Sequence, residues 1–123
     1  MNEGDEIAPV VMQQRARDWL RDAENVGNCR HTRLCACFDA IYVMLLLAVR
    51  EAETRPGPVQ VNHPAPHVIV TGARVLRLDE DEISDLLELR EAVTSLRYEP
   101  RPLPGNLRRA LAIARHLVGP RLG

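Results

Sequence analysis

Asp39 is the first residue whose chemistry demands explanation, because it is the single charge in the sixteen-residue stretch Leu34 to Val49, LCACFDAIYVMLLLAV. A carboxylate in such surroundings needs a counterion, since leaving a buried charge without its partner costs about 3–5 kcal/mol. Arg90 and Arg97 are the expected partners. At about 100° per residue both fall within the arc set by Ile83, Leu86, Val93 and Leu96, so one helix would aim two guanidinium groups at the interior or at an interface. Arg is uncommon inside proteins unless paired. The sequence therefore predicts a buried ion pair of Asp39 with Arg90 or Arg97. Such a pair either fixes the register of two helices or forms part of a polar cleft for a nucleotide or a partner. Tyr98, beside Arg97, can stack a base or donate a hydrogen bond, or it can pack its ring at a helix end with the hydroxyl in water.

Other reactive residue types are less well arranged. His63 and His67 are four apart, as metal ligands on a helix can be, but Pro64 and Pro66 lie among them and no third ligand is evident. Helix capping or loop packing suits them better. Cys29, Cys35 and Cys37 are an odd number in or beside one apolar segment, which is no disulfide framework. On a helix Cys35 and Cys37 point about 200° apart, the wrong geometry for a shared metal, so all three are expected to be packing residues. There is no glycine-rich phosphate loop, Ser-His-Asp set or pair of metal-binding carboxylates. No metal or cofactor is expected. The formal net charge of -1 argues against a generic nucleic-acid binder, yet the charge is unevenly spread. Asp79 to Glu99 holds eight acids against two Arg, and Arg101 to Gly123 holds five Arg and no acid. Either two adjacent helices complement each other, or the basic last segment touches RNA, DNA or an acidic partner.

These residues must be held by helices. A chain of 123 residues makes one domain that buries roughly two thirds of its unfolded surface. A helix apolar on every side, as Leu34 to Val49 would be, has to be covered by others. Its ten-residue run Ala40 to Val49 falls short of the about 20 residues that cross a bilayer. The start, MNEGDEIAP, is acidic and lacks the apolar core of a signal peptide, so a soluble cytoplasmic protein away from the membrane is expected. Residues 1–8 read as a frayed tail and 9–119 as a single helical bundle domain. Helix one starts at Pro9 with Met12, Ala16, Trp19, Ala23 and Val26 along one face, stopped by Gly27, with Asn28 capping the next. Helix two runs from about Cys29 to Thr54. A loop from Pro56 to Pro66 leads to helix three, capped by Asn62 or His63 with Pro64 in its first turn and burying Ile69, Gly72, Ala73 and Leu76. Asp79-Glu80-Asp81-Glu82 resembles a capping box for helix four, which buries Ile83, Leu86, Leu89, Val93 and Leu96 and ends near Arg97. Helix five, from near Gly105 to Val118, buries Leu107, Ala110, Leu111, Ala114 and Leu117 before Gly119-Pro120 stops it. The fold class expected is all-α, an up-and-down bundle of four long helices and one short, with no strand.

Trp19-Leu20-Arg21-Asp22-Ala23, Cys37-Phe38-Asp39-Ala40, His63-Pro64 and Leu96-Arg97-Tyr98-Glu99-Pro100, in that order, resemble the segments of HEPN domains, small prokaryotic helical bundles that are usually homodimeric. The Trp-Leu-x-x-Ala start and the Arg-Tyr-x-Pro junction resemble the subfamily found beside minimal nucleotidyltransferases. The resemblance spans roughly residues 12–118. It implies an HEPN-like fold, a homodimer and a nucleotidyltransferase-like protein partner. Ribonuclease members, as in toxin–antitoxin systems, carry an Arg and a His with four to six residues between them that meet across a dimer cleft and cut RNA without metal. Neither Arg90 nor Arg97 has a His at that distance, and Arg109 and His116, with six residues between them, are the formal match. On a helical wheel both lie nearly opposite Leu107, Ala114 and Leu117, on the outer face. The leading expectation is a non-catalytic HEPN-like module that recognises a protein partner or a nucleotide through Arg90, Arg97 and Tyr98. The alternatives are a metal-independent ribonuclease using Arg109 and His116, and a purely structural dimer.

Overall fold

Apolar residues on every side of one long helix decide the architecture. In the computed structural model, which describes residues 6–52, 59–60, 66–96 and 106–122, five helices make a bundle: α1 (Pro9–Glu24), α2 (Arg30–Ala52), α3 (Pro66–Val75), α4 (Glu80–Leu96) and α5 (Asn106–Leu122). The second touches each of the other four. Its innermost line, Leu34, Cys37, Ile41 and Leu45, recurs at helical spacing, and each of these is at most 1% exposed. Against it lie Met12 and Ala16 of α1, Ile69 and Ala73 of α3, Ile83, Leu86 and Leu89 of α4, and Leu111, Ala114 and Leu117 of α5. Phe38 and Tyr42, one turn apart, stack with ring centroids 5.9 Å apart.

By length and composition α2 could cross a membrane: its best 18-residue window has a mean hydropathy of 1.8. The ten-residue run considered alone understates this, because the few charges inside an 18-residue window of α2 do not lower the average enough. Yet 61% of that window is buried inside the protein, as the central helix of a bundle requires.

Several helix ends depart from their expected positions. α1 stops at Glu24, and Val26, expected on its apolar face, is 84% exposed. The free carbonyls at that end are taken up by side chains from the turn and the start of α2: Asn28 Nδ2 donates to Asp22 O (2.9 Å) and Arg33 Nε to Ala23 O (2.8 Å). Asn28 thus closes the first helix rather than capping the second. Cys29 holds the position before α2, its carbonyl accepting from the Arg33 N–H at 3.0 Å. α3 is described from Pro66, which needs no N–H in a first turn; Asn62, His63 and Pro64, its expected start, lie outside the described residues. α3 ends in a left-handed turn at Arg77 (φ 62°), where the Leu78 N–H reaches back to Ala73 O at 2.9 Å.

The capping box of α4 is formed as expected. Glu82 N–H donates to Asp79 Oδ1 (2.8 Å), and Asp79 N–H donates to Glu82 Oε1 (3.0 Å). α5 passes through Gly119 and Pro120 to Leu122, because a proline near a helix end removes only one backbone bond. A two-residue antiparallel pairing, β1 (Glu6–Ile7) with β2 (Val59–Gln60), sets Glu6 opposite Gln60 and Ile7 opposite Val59. It corrects the expectation of a frayed tail at Glu6–Ile7 and of no strand. Two residues are too short for an alternating pattern to show in sequence.

Candidate functional site

Three regions carry polar chemistry among the described residues. The first is the expected seam between α2 and α4. Asp39 is half-buried rather than enclosed, and Arg90, its side chain 24% exposed, donates from Nη1 to Oε1 of the adjacent Glu91 at 2.9 Å. No charged side chain among the described residues is fully buried. Water therefore shares the solvation of both groups, and the desolvation that would make their pairing obligatory is reduced. Arg97 and Tyr98 lie outside the described residues.

The second is the boundary of α4 and α5. Arg109 and His116 are both exposed on the outer face of α5, two turns apart. Arg109 Nε donates to Asp85 Oδ2 at 2.6 Å, joining the acidic helix to the basic one. That hydrogen bond and the charge behind it hold the guanidinium protonated even more firmly than usual. Around the pair is a recess of about 30 Å³, lined by Asp85, Glu88, Leu89, Arg109, Ala110 and Ile113, with room for roughly one water. His116 does not line it. The structure thus places both on the outer face of α5, with the arginine facing a carboxylate and the histidine outside its recess.

The third has no counterpart among the residues expected from the sequence. An open cleft of about 530 Å³ lies where α2 begins beside α5, lined by Arg30, Leu107, Arg108, Leu111 and Arg115. On α5 the spacing 107, 108, 111 and 115 keeps these side chains on one side of the helix. Arg108 is exposed, and Arg115 Nε donates to Oε2 of Glu24, the last residue of α1, at 2.8 Å. The excess of Arg after residue 101 points to α5. That Arg30 joins it from far back in the chain is a tertiary fact.

The cysteines around this corner divide sharply. Cys29 is exposed, so it is not a packing residue, and Cys35 is half-buried, while Cys37 is fully buried. The Cys29 sulfur lies 3.2 Å from Thr32 Oγ1. That hydrogen bond, with backbone N–H groups of the first turn, holds its thiol below the ordinary range. Burial pushes the Cys37 thiol up to about 12, although Arg33 and Arg115 pull the other way. Native protein treated with iodoacetamide at pH 8 should therefore be alkylated first at Cys29, with Cys37 reacting only after denaturant is added; peptide mass spectrometry reads the order. Since the folded Cys37 is raised above its unfolded value of 9.0, its contribution to stability is complete below pH 9. That contribution should be lost as pH rises through about 12.

Comparison with family models, with curated proteins and with solved structures finds no match.

Proposed function

We propose that this protein is a non-catalytic binding module that captures an anionic ligand on the arginine-rich side of α5. The observation that carries the reading is the cleft lined by Arg30, Arg108 and Arg115, an opening with three guanidinium groups and an apolar floor of Leu107 and Leu111. Arginine forks match phosphate and carboxylate oxygens two at a time, which makes such a cluster selective for anions. The RNA, DNA or acidic partner expected of the basic last segment fits this surface by charge. A nucleotide, expected at Arg90, Arg97 and Tyr98, would fit it for the same reason. An up-and-down HEPN-like arrangement and a homodimer belong to the same reading.

A ribonuclease at Arg109 and His116 is the weaker choice, because Asp85 already holds the Arg109 guanidinium that a scissile phosphate would need. The test uses two probes. Inorganic polyphosphate should bind saturably and lose affinity as salt rises, and Arg108→Ala with Arg115→Ala should weaken it about tenfold. End-labelled single-stranded RNA should survive incubation uncut. RNA fragments that disappear with His116→Ala would reverse the choice, and polyphosphate binding indifferent to the arginine changes would remove the module.

A further inference from the structure

We infer that the cleft between α2 and α5 is a site for a phosphoryl group, with Glu24 as the internal anion that the group displaces from Arg115. The inference rests on the anion-binding reading and goes beyond it by naming the group and its competitor.

The Arg115–Glu24 pair already shows Arg115 presenting Nε to a carboxylate oxygen at 2.8 Å. Both side chains are open to water, 55% and 42% exposed, so exchange of one oxyanion for another needs no rearrangement of the core. Glu24 is poorly placed to keep the position. It ends α1, where the helix's own carbonyls already concentrate negative charge, and a carboxylate there is disfavoured.

The other wall is basic as well: α2 has no acid in its first turn and opens with Arg30 at its positive end. A ligand anion in the cleft would sit between Arg30 on one side and Arg108 and Arg115 on the other. It would bring negative charge to the N-terminal end of α2 and take over the cation that Glu24 now holds.

Charge decides between the competitors. A phosphate monoester carries about -1.5 to -2 at pH 7 and offers three acceptor oxygens, against a single charge for the carboxylate. The phosphate can satisfy three arginines more fully than Glu24 alone can. The opening of about 530 Å³ exceeds what a bare phosphate fills, and falls within the about 300–1,000 Å³ typical of small-molecule sites. Leu107 and Leu111 line the part that a carrier of the phosphate would cover. Among the described residues the polar lining is guanidinium alone, which recognises the phosphate rather than a stacked ring.

The experiment is a backbone-amide NMR titration of the full chain with inorganic phosphate, at ionic strength held constant with sodium chloride. Saturating shifts are expected at Arg30 and at Leu107, Arg108, Leu111 and Arg115, with Asp85 and Ile113 unmoved. Glu24→Gln should tighten apparent binding about three- to tenfold, and Arg108→Gln should weaken it at least about fivefold. Both changes are at exposed positions, and a thermal melt verifies that each variant is folded. Phosphoserine and a nucleoside monophosphate, each against its phosphate-free parent, identify the carrier; the inference requires that at least one outbind its parent. Shifts centred on Arg109 and His116, or a Glu24→Gln variant that binds phosphate no better, overturn the inference. If polyphosphate still binds in that case, the binding module stands without this site; if neither anion binds, both readings fall.

Discussion

Replacing Ile41 with alanine should cost about 4 kcal/mol, the largest loss expected of any single truncation here. Ile41 is 0% exposed on the helix that touches all four others, so the atoms removed face neighbours that are themselves pinned by α2. Truncating a buried Ile to Ala forfeits its transfer energy and leaves a cavity that close packing cannot fill, in total about 2–5 kcal/mol. The upper part of that range applies where the surroundings cannot collapse inward. A domain of this size has about 5–15 kcal/mol in all, so the variant should lose at least about a quarter of its stability. Urea denaturation would show it as a lowered midpoint with an unchanged slope. Ile41→Val, which removes one methyl group, should cost about 0.5–1.5 kcal/mol. Val26→Ala, at an 84% exposed position, should stay within about 0.5 kcal/mol of the parent. If Ile41→Ala costs no more than Val26→Ala, α2 is not the centre of the bundle.

That α2 is central could be read from Leu34 to Val49 directly, because apolar residues on every side of a helix leave no face for water. The stripes of the other helices and the Asp79–Glu82 capping box were legible for the same kind of reason: each is local, and its spacing is its signal. What escaped the sequence depends on contacts between distant segments. Asn28 and Arg33 close α1 because the chain turns back on itself there, and nothing in an Asn or an Arg says which helix it will serve. The turn at Arg77 uses a left-handed residue that is usually Gly, so its type concealed the conformation. Among the candidate sites, the outward placement of Arg109 and His116 followed from the helical wheel, while the carboxylate facing Arg109 lies 24 positions away in sequence. The cleft of Arg30, Arg108 and Arg115 joins two ends of the chain, and only the packing of α2 on α5 brings them together.

Gly72→Ala tests the packing of α3 on α2 at its tightest point, and its sign separates local preference from tertiary fit. Within a helix the change should stabilise by up to about 1 kcal/mol, since alanine is the better helix former. The structure demands the opposite. A Cβ at position 72 would stand 2.7 Å from the Leu45 carbonyl oxygen and 2.8 Å from Leu45 Cβ. Neither obstacle is the loose end of a flexible side chain. The carbonyl belongs to the backbone of α2, and Leu45 is 1% exposed in the core, so relief requires α3 to move away from the helix that organises the bundle. Overpacking of this kind typically costs about 1–3 kcal/mol, and with backbone as the obstacle we expect about 3 kcal/mol and a fall in Tm of about 10 °C. Gly119→Ala supplies the control, because nothing lies within 4 Å of its added Cβ. There the helix preference acts alone, and the variant should match or exceed the parent by up to about 1 kcal/mol. A Gly72→Ala protein that melts no lower than the Gly119→Ala protein would mean that α3 and α2 do not approach at Gly72 and Leu45.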